Sequence, residues 1–137
     1  MGIELRKDSI DLGIIARNPQ RSLTFYRDVV GLDHVASTPM PKPLGGTMHR
    51  LMCGTSMIKV IDLDETPPAH PAPGGLVGGT GYRYFTMAVS NLADVTQACR
   101  DSGATVIIDD VELSPGLRAS IVEDPDGNWV EFIDPGE

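Results

Sequence analysis

The chain has 137 residues, 41% of them apolar and 22% charged, close to the globular average and unlike a disordered or membrane-spanning chain. No apolar run approaches the ~20 residues of a transmembrane helix, and the opening MGIELRKDS has no long apolar stretch to act as a signal peptide. Eleven Lys and Arg against nineteen Asp and Glu leave a charge of −8, which argues against nucleic acid and against a membrane surface as partner.

In chain order, IDLGIIA (10–16) is a β-branched run that reads as a strand. Asn18-Pro19 follows, a capping residue and a proline suited to the first helical position. Leu23, Tyr26 and Val30 recur at helical spacing, and Gly31 closes the helix. Strand-like runs come next at 33–37, 47–53 and 56–63, the last two joined by a tight turn at Gly54-Thr55. TPMPKPLGGT (38–47) reads as a long loop. The stretch DETPPAHPAPGGLVGGTG (64–81) reads as an extended linker or flap with a solvated His70. The order then repeats. YRYFTMAV (82–89) is a strand, and Asn91 with Asp94 marks a helix start. Val95, Ala98 and Cys99 form its apolar stripe, Gly103 its cap, and runs at 105–108, 117–123 and 128–133 complete the set. Asp126-Gly127 supplies the positive φ that the last hairpin needs. Cys53 and Cys99 have no CxxC spacing and read as reduced buried thiols, so a cytoplasmic location is expected.

Each half reads β-α-β-β-β, and the halves align. An offset of 73 places Asn18 on Asn91, Arg27 on Arg100, Asp28 on Asp101 and Asp11 on Tyr84. An offset of 72 places Gly31 on Gly103 and Lys59 on Glu131. The expected organisation is one α+β domain of two βαβββ modules, about 9–63 and 81–134, with residues 64–80 between them.

The helix NPQRSLTFYRDVVGL (18–32) and the terminal EDPDGNWVEF (123–132) resemble the vicinal oxygen chelate superfamily, which includes glyoxalase I, bleomycin-resistance proteins, extradiol dioxygenases and methylmalonyl-CoA epimerase. The likeness runs from about Ile10 to Asp134. It implies that each module curls its sheet into a half-barrel and that two halves enclose one cavity. It also implies four inward positions that carry a divalent metal in many members. Here they are Asp11, Lys59, Tyr84 and Glu131, the pairs that the internal repeat superimposes. A lysine ammonium has no free lone pair near neutrality and tyrosine is a weak ligand, so a metal-free site with no cofactor is expected. Ile15, Met57, Ile61, Tyr82, Thr86 and Trp129 fall in phase with the four positions and are expected to line the cavity. His49 is a further candidate whose face the sequence leaves open.

Two functions are compatible with such a site. The first is proton transfer beside a carbonyl, of isomerase, epimerase or lyase type: Asp11 or Glu131 takes the proton, and Lys59 with Tyr84 stabilises the enolate in place of a metal. The second is ligand sequestration, as in bleomycin-resistance proteins, with Tyr82, Tyr84 and Trp129 stacking on the ligand's rings. A metal-dependent glyoxalase or dioxygenase is a third, weaker reading. The expected partners are a small-molecule substrate or ligand and a second copy of the chain, in a homodimer whose cavity lies within one chain or across two.

Overall fold

The structure is a computed structural model that describes residues 2–136. Two four-stranded mixed sheets carry the fold. In the first module, β1 (Leu12–Ile15) leads into a helix, and β2 (Asp33–Pro39), β3 (Gly46–Cys53) and β4 (Ser56–Leu63) follow. The second module repeats this with β5 (Tyr84–Ala88), helix α2 (Leu92–Asp101), β6 (Val106–Ser114), β7 (Leu117–Glu123) and β8 (Trp129–Asp134). The sheet orders are β1-β4-β3-β2 and β5-β8-β7-β6, with the first strand of each module parallel to its last. The sheets are not closed into a barrel, and β1 and β5 are edge strands.

The first helix departs from expectation. Helix α1 (Pro19–Leu23) is a short α-helix, capped as anticipated by Asn18, whose side chain accepts the Arg21 N–H at 3.2 Å. It then widens into a π-turn over Thr24–Val29, where the Val30 N–H reaches back to the Phe25 carbonyl. Consecutive Phe25 and Tyr26 are both buried in this turn. Helix α2 is a regular α-helix, but the Asn91 side chain makes no capping bond. The buried stripe of α2 is Leu92, Thr96 and Cys99, with Val95 and Ala98 at its margin. Thr96 is tolerated inside because its hydroxyl donates to the Leu92 carbonyl at 2.7 Å and lies 2.6 Å from the Ser120 hydroxyl.

Both helices cover the same side of the sheets and share one core. Ile14, Leu51, Ile58 and Val60 of the first module pack with Met87, Val122, Val130 and Phe132 of the second, around Leu23, Phe25, Tyr26, Leu92 and Cys99. Burying each such large side chain contributes about 1.5–3 kcal/mol. The modules are also joined by polar contacts. The Tyr26 hydroxyl donates to Asp124 Oδ2 at 2.6 Å, and Asp124 further accepts the N–H groups of Asp126 and Asn128 and the Asn128 amide, each at 2.9 Å. The Asp-Pro-Asp-Gly turn is thus a buried junction as well as a hairpin, and Gly127 takes φ 87° in it.

Two loops are shorter than expected. Strands β2 and β3 run into the 38–47 stretch, leaving 40–45 between them, and β6 continues well past residue 108 to Ser114. Pairing of β6 with β7 is irregular, with several register shifts.

Candidate functional site

Register fixes which side chains share a face. On the uncovered face of the first sheet, Gly13 of β1, Lys59 of β4, Arg50 of β3 and Ala36 of β2 form one row of paired positions. The row on one side of it is Ile15, Ile61, Met48 and Thr38; on the other side Met57 pairs with Met52. On the second sheet the corresponding row is Thr86, Glu131, Ile121 and Ile108, with Tyr84 and Trp129 paired beside it. The in-phase residues that lie within strands are therefore on one face of each sheet, opposite the helices, while Asp11 and Tyr82 precede β1 and β5.

A cavity of about 580 Å³ is lined by residues of both edge strands, β1 and β5. Ile15, Tyr82, Tyr84 and Trp129 line it, as do His70, Arg17 and Arg83, which sequence reasoning did not place there. Its wall is mainly apolar and aromatic, as small-molecule sites are. Tyr82 precedes β5 and is fully exposed, and Tyr84 and Ile15 are each nearly half exposed, at 48% and 44%. Lys59 and Glu131 stand one strand in from the two edges. Asp11, Met57, Ile61 and Thr86 also lie outside the cavity's lining.

The linker roofs this cavity and is pinned rather than extended. Arg17, just after β1, donates to the Pro67 carbonyl at 2.9 Å. Arg83, just before β5, donates to the carbonyls of Gly75 and Ala72, each at 2.7 Å. A single 3-10 turn spans Gly75–Val77, and Gly75 takes φ +55° flat against the Trp129 indole, where a Cβ would come within 2.1 Å of the ring. Trp129 is therefore a platform for the backbone of the linker as well as a cavity wall.

Asp11, Lys59 and Glu131 form no ion pair with one another among the described residues. Asp11 accepts from Lys7 Nζ at 2.6 Å and from the Met57 N–H at 3.0 Å. The Lys7 ammonium and then the Met57 N–H hold the Asp11 carboxyl below its ordinary range, with Lys59 a weaker influence. Glu131 accepts the Thr86 hydroxyl at 2.6 Å. Lys59 is in none of the ion pairs among the described residues. Arg50 is also in none, and its guanidinium is steadied by Thr38 Oγ1 at 3.2 Å and Met57 Sδ at 3.4 Å. Arg50 was legible in principle: the two-residue turn at Gly54-Thr55 pairs Cys53 with Ser56 and so puts Arg50 opposite Lys59.

His49 lies on the other face of the sheet, in register with Val60. Its Nδ1 is 2.8 Å from the Ser37 hydroxyl, which is 2.9 Å from His34 Nε2. Burial and the neighbouring His34 push its pKa down. The structure thus separates His49 from the other candidates.

Asp11, Lys59, Tyr84 and Glu131 do not fit a divalent metal. One is an ammonium, one a phenol, and Asp11 is already engaged by a lysine and a backbone N–H. Among the described residues, no three His, Cys, Asp or Glu side chains gather as metal ligands. None of the described helices is long and apolar enough to cross a membrane.

Comparison with known proteins agrees with this architecture. A search of the curated proteins gave no significant match. Among solved structures, a glyoxalase family protein from Bacillus cereus superimposes with a TM-score of 0.81 at 14% identity, covering 97% of this chain and 95% of that one. One from Enterococcus faecalis gives 0.65 at 19% identity over 96% and 97%. A glyoxalase I mutant from Zea mays gives 0.76 at 14% identity over 93% of this chain and 45% of the maize protein. At these identities the likeness establishes the fold alone. The family model described as Glyoxalase/Bleomycin resistance protein/Dioxygenase superfamily matches residues 10–132, from the strand before α1 through the Asp-Pro-Asp-Gly hairpin. With nearly its whole length matched and its two βαβββ modules in place, this chain belongs to the glyoxalase/bleomycin resistance protein/dioxygenase superfamily.

Proposed function

We propose that the chain is a metal-independent small-molecule enzyme that moves a proton next to a carbonyl, in an isomerase, epimerase or lyase reaction. The observation that carries this reading is the mainly apolar cavity of about 580 Å³ between β1 and β5, with Tyr84 in its wall and Lys59 and Glu131 one strand away on either side. Proton abstraction needs a carboxylate free to accept. Asp11 is a poor base, because Lys7 and the Met57 N–H already stabilise its charged form. Glu131 is the better one: its single hydrogen-bond partner among the described residues, Thr86, holds one oxygen and leaves the other to accept. The Lys59 ammonium and the Tyr84 hydroxyl stabilise the enolate as charge develops on the carbonyl oxygen. The pinned linker keeps water from one side of the site. A homodimer is part of the proposal, because Val77 at 94% exposure and the fully exposed Tyr82 are large apolar side chains left uncovered beside the cavity.

The test does not require the substrate to be known. A panel of small carbonyl compounds is incubated with the protein in D2O with chelator, and deuterium entry at the α-carbon is followed by NMR. The expected result is protein-dependent exchange in one chemical class, lost in Glu131→Gln. Tight binding of a panel member without exchange in any class would favour ligand sequestration, which the aromatic wall also suits. Sedimentation at micromolar concentration checks the dimer, and a monomer would contradict it.

A further inference from the structure

We propose that the uncovered face of the first sheet is an anion site, in which Arg50 and Lys59 together hold the carboxylate, sulfonate or phosphate group of a ligand whose apolar body lies over the neighbouring methionines. This names the substrate class for the small-molecule site proposed above and rests on that reading only in placing a ligand on this side of the sheets.

Arg50 and Lys59 are direct partners in the β3–β4 ladder, so their side chains leave the same face from adjacent positions. Like charges directly opposite one another destabilise a sheet, and both residues are half-buried, which adds a desolvation cost. Proteins usually offset such a pair with a carboxylate, and among the described residues none forms an ion pair with either side chain. The nearest candidate, Asp11, is taken by Lys7 and the Met57 N–H. Neither Arg50 nor Lys59 is in an ion pair among the described residues. The arginine is nevertheless aimed, since Thr38 Oγ1 and Met57 Sδ hold its Nε and one terminal nitrogen while the other terminal nitrogen makes no such bond among the described residues.

The shape of the face agrees with the charge. The row through the two cations ends in Gly13 on one side and Ala36 on the other. A Cβ at Gly13 would meet only Ile61 Cδ1, at 3.8 Å, so the space beside Lys59 is open. Met48 flanks the row on one side and Met52 with Met57 on the other. Methionine is unbranched and polarizable and adapts to ligands of differing shape. A planar guanidinium beside an ammonium suits a bidentate oxyanion. Because the whole chain carries −8, a preference for anions has to come from a local arrangement rather than from general attraction.

The test uses two fluorescent probes with the same ring system, 8-anilinonaphthalene-1-sulfonate and neutral N-phenyl-1-naphthylamine, titrated into the full chain at low salt. The sulfonate is expected to bind at least about tenfold more tightly, the effect of one charge-assisted hydrogen bond. That ratio should fall below about threefold in both Arg50→Met and Lys59→Met, with Arg50→Lys intermediate because the charge stays and the fork is lost. Circular dichroism and the retained binding of the neutral probe establish that each variant is folded. Should Arg50→Met fail to fold, Arg50→Lys and Lys59→Gln carry the comparison. Equal affinity for the two probes would overturn the anion site while leaving the small-molecule site standing, and binding of neither would overturn both. A preference that survives the substitutions would place the anion elsewhere and overturn the assignment. So would a dimer that dissociates in both methionine variants and in high salt, because the cations would then be serving a second copy's carboxylates.

Discussion

The two modules share a plan and differ in what they present to a ligand. In the first, the central row of the uncovered face reads Gly13, Lys59, Arg50, Ala36. In the second, the matching row reads Thr86, Glu131, Ile121, Ile108. Gly13, paired beside Lys59, offers it no side chain, whereas the Thr86 hydroxyl donates to Glu131 at 2.6 Å. The first face is thus cationic and rich in methionine, the second anionic and aromatic. A duplicated scaffold keeps its covered side apolar because the shared core requires it. Its open side is free to diverge, and a site assembled from both faces can place a fixed cation and a positioned carboxylate around one substrate.

The covered sides differ in size in a way that mutation can expose. Val60 and Phe132 occupy matching places, and both are fully buried in the common core. Phe132→Ala is expected to cost roughly 3–5 kcal/mol, as large-to-small aromatic changes do. Val60→Ala removes only two methyl groups and should cost about 2 kcal/mol. Urea denaturation of the two variants checks this, and equal losses would mean the halves contribute alike to the core.

The junction between modules should be next in size. Tyr26→Phe removes the hydroxyl that donates to buried Asp124, with an expected cost of about 1–3 kcal/mol. Burial already raises the Asp124 pKa against the pull of its hydrogen bonds. For an acid with a raised folded pKa, the charged form is the costly one, so this cost is present above the folded pKa and is relieved as pH falls through it. Losing the tyrosine bond raises that pKa further. The variant's deficit relative to the parent should therefore shrink as pH is lowered toward 5, as stability curves at pH 5 and 8 would show.

The linker is fastened more firmly to the second module than to the first. Gly75→Ala puts a Cβ into the Trp129 indole at a positive φ, and a destabilisation of about 1–3 kcal/mol with a shift in tryptophan fluorescence is expected. Arg17→Ala, which frees the first-module side, should leave that fluorescence nearly unchanged. If both variants move it equally, the linker is held as one piece by both modules.

The smallest effect concerns His49, which has no counterpart in the second module. Its folded pKa lies below the ordinary 6.5, through burial and His34, with Arg27 adding to and Asp62 opposing the shift. A base with a lowered folded pKa binds protons better when unfolded. Its neutral form therefore contributes stability that is complete above pH 6.5 and lost as pH falls below that value. His49→Gln should flatten the pH dependence of the melting temperature between pH 7 and 5 by a small amount, and an unchanged slope would exclude His49 as its source.

Local chemistry in the sequence determined the element order, the duplication, the Asn18 cap, the hairpin turn at Gly127 and the alternation that separates covered from uncovered faces. Each depends on residues a few positions apart, and φ preferences and a period of two or 3.6 are visible at that range. Tertiary structure decided the rest. Within the π-turn, Tyr26 reaches across to Asp124, 98 residues away. Asn91 looks like Asn18 in sequence but does not cap, and β6 extends through irregular pairing that only β7 imposes. Alternation put Lys59 and Glu131 on the sheet faces opposite the helices, where the register has them. It could not reveal that Lys7 would claim Asp11, that Arg17 and Arg83 would pin the linker, or that His49 would face the helices' side. Those outcomes depend on which groups long-range folding brings within about 3 Å of one another, a distance at which hydrogen bonds form or fail.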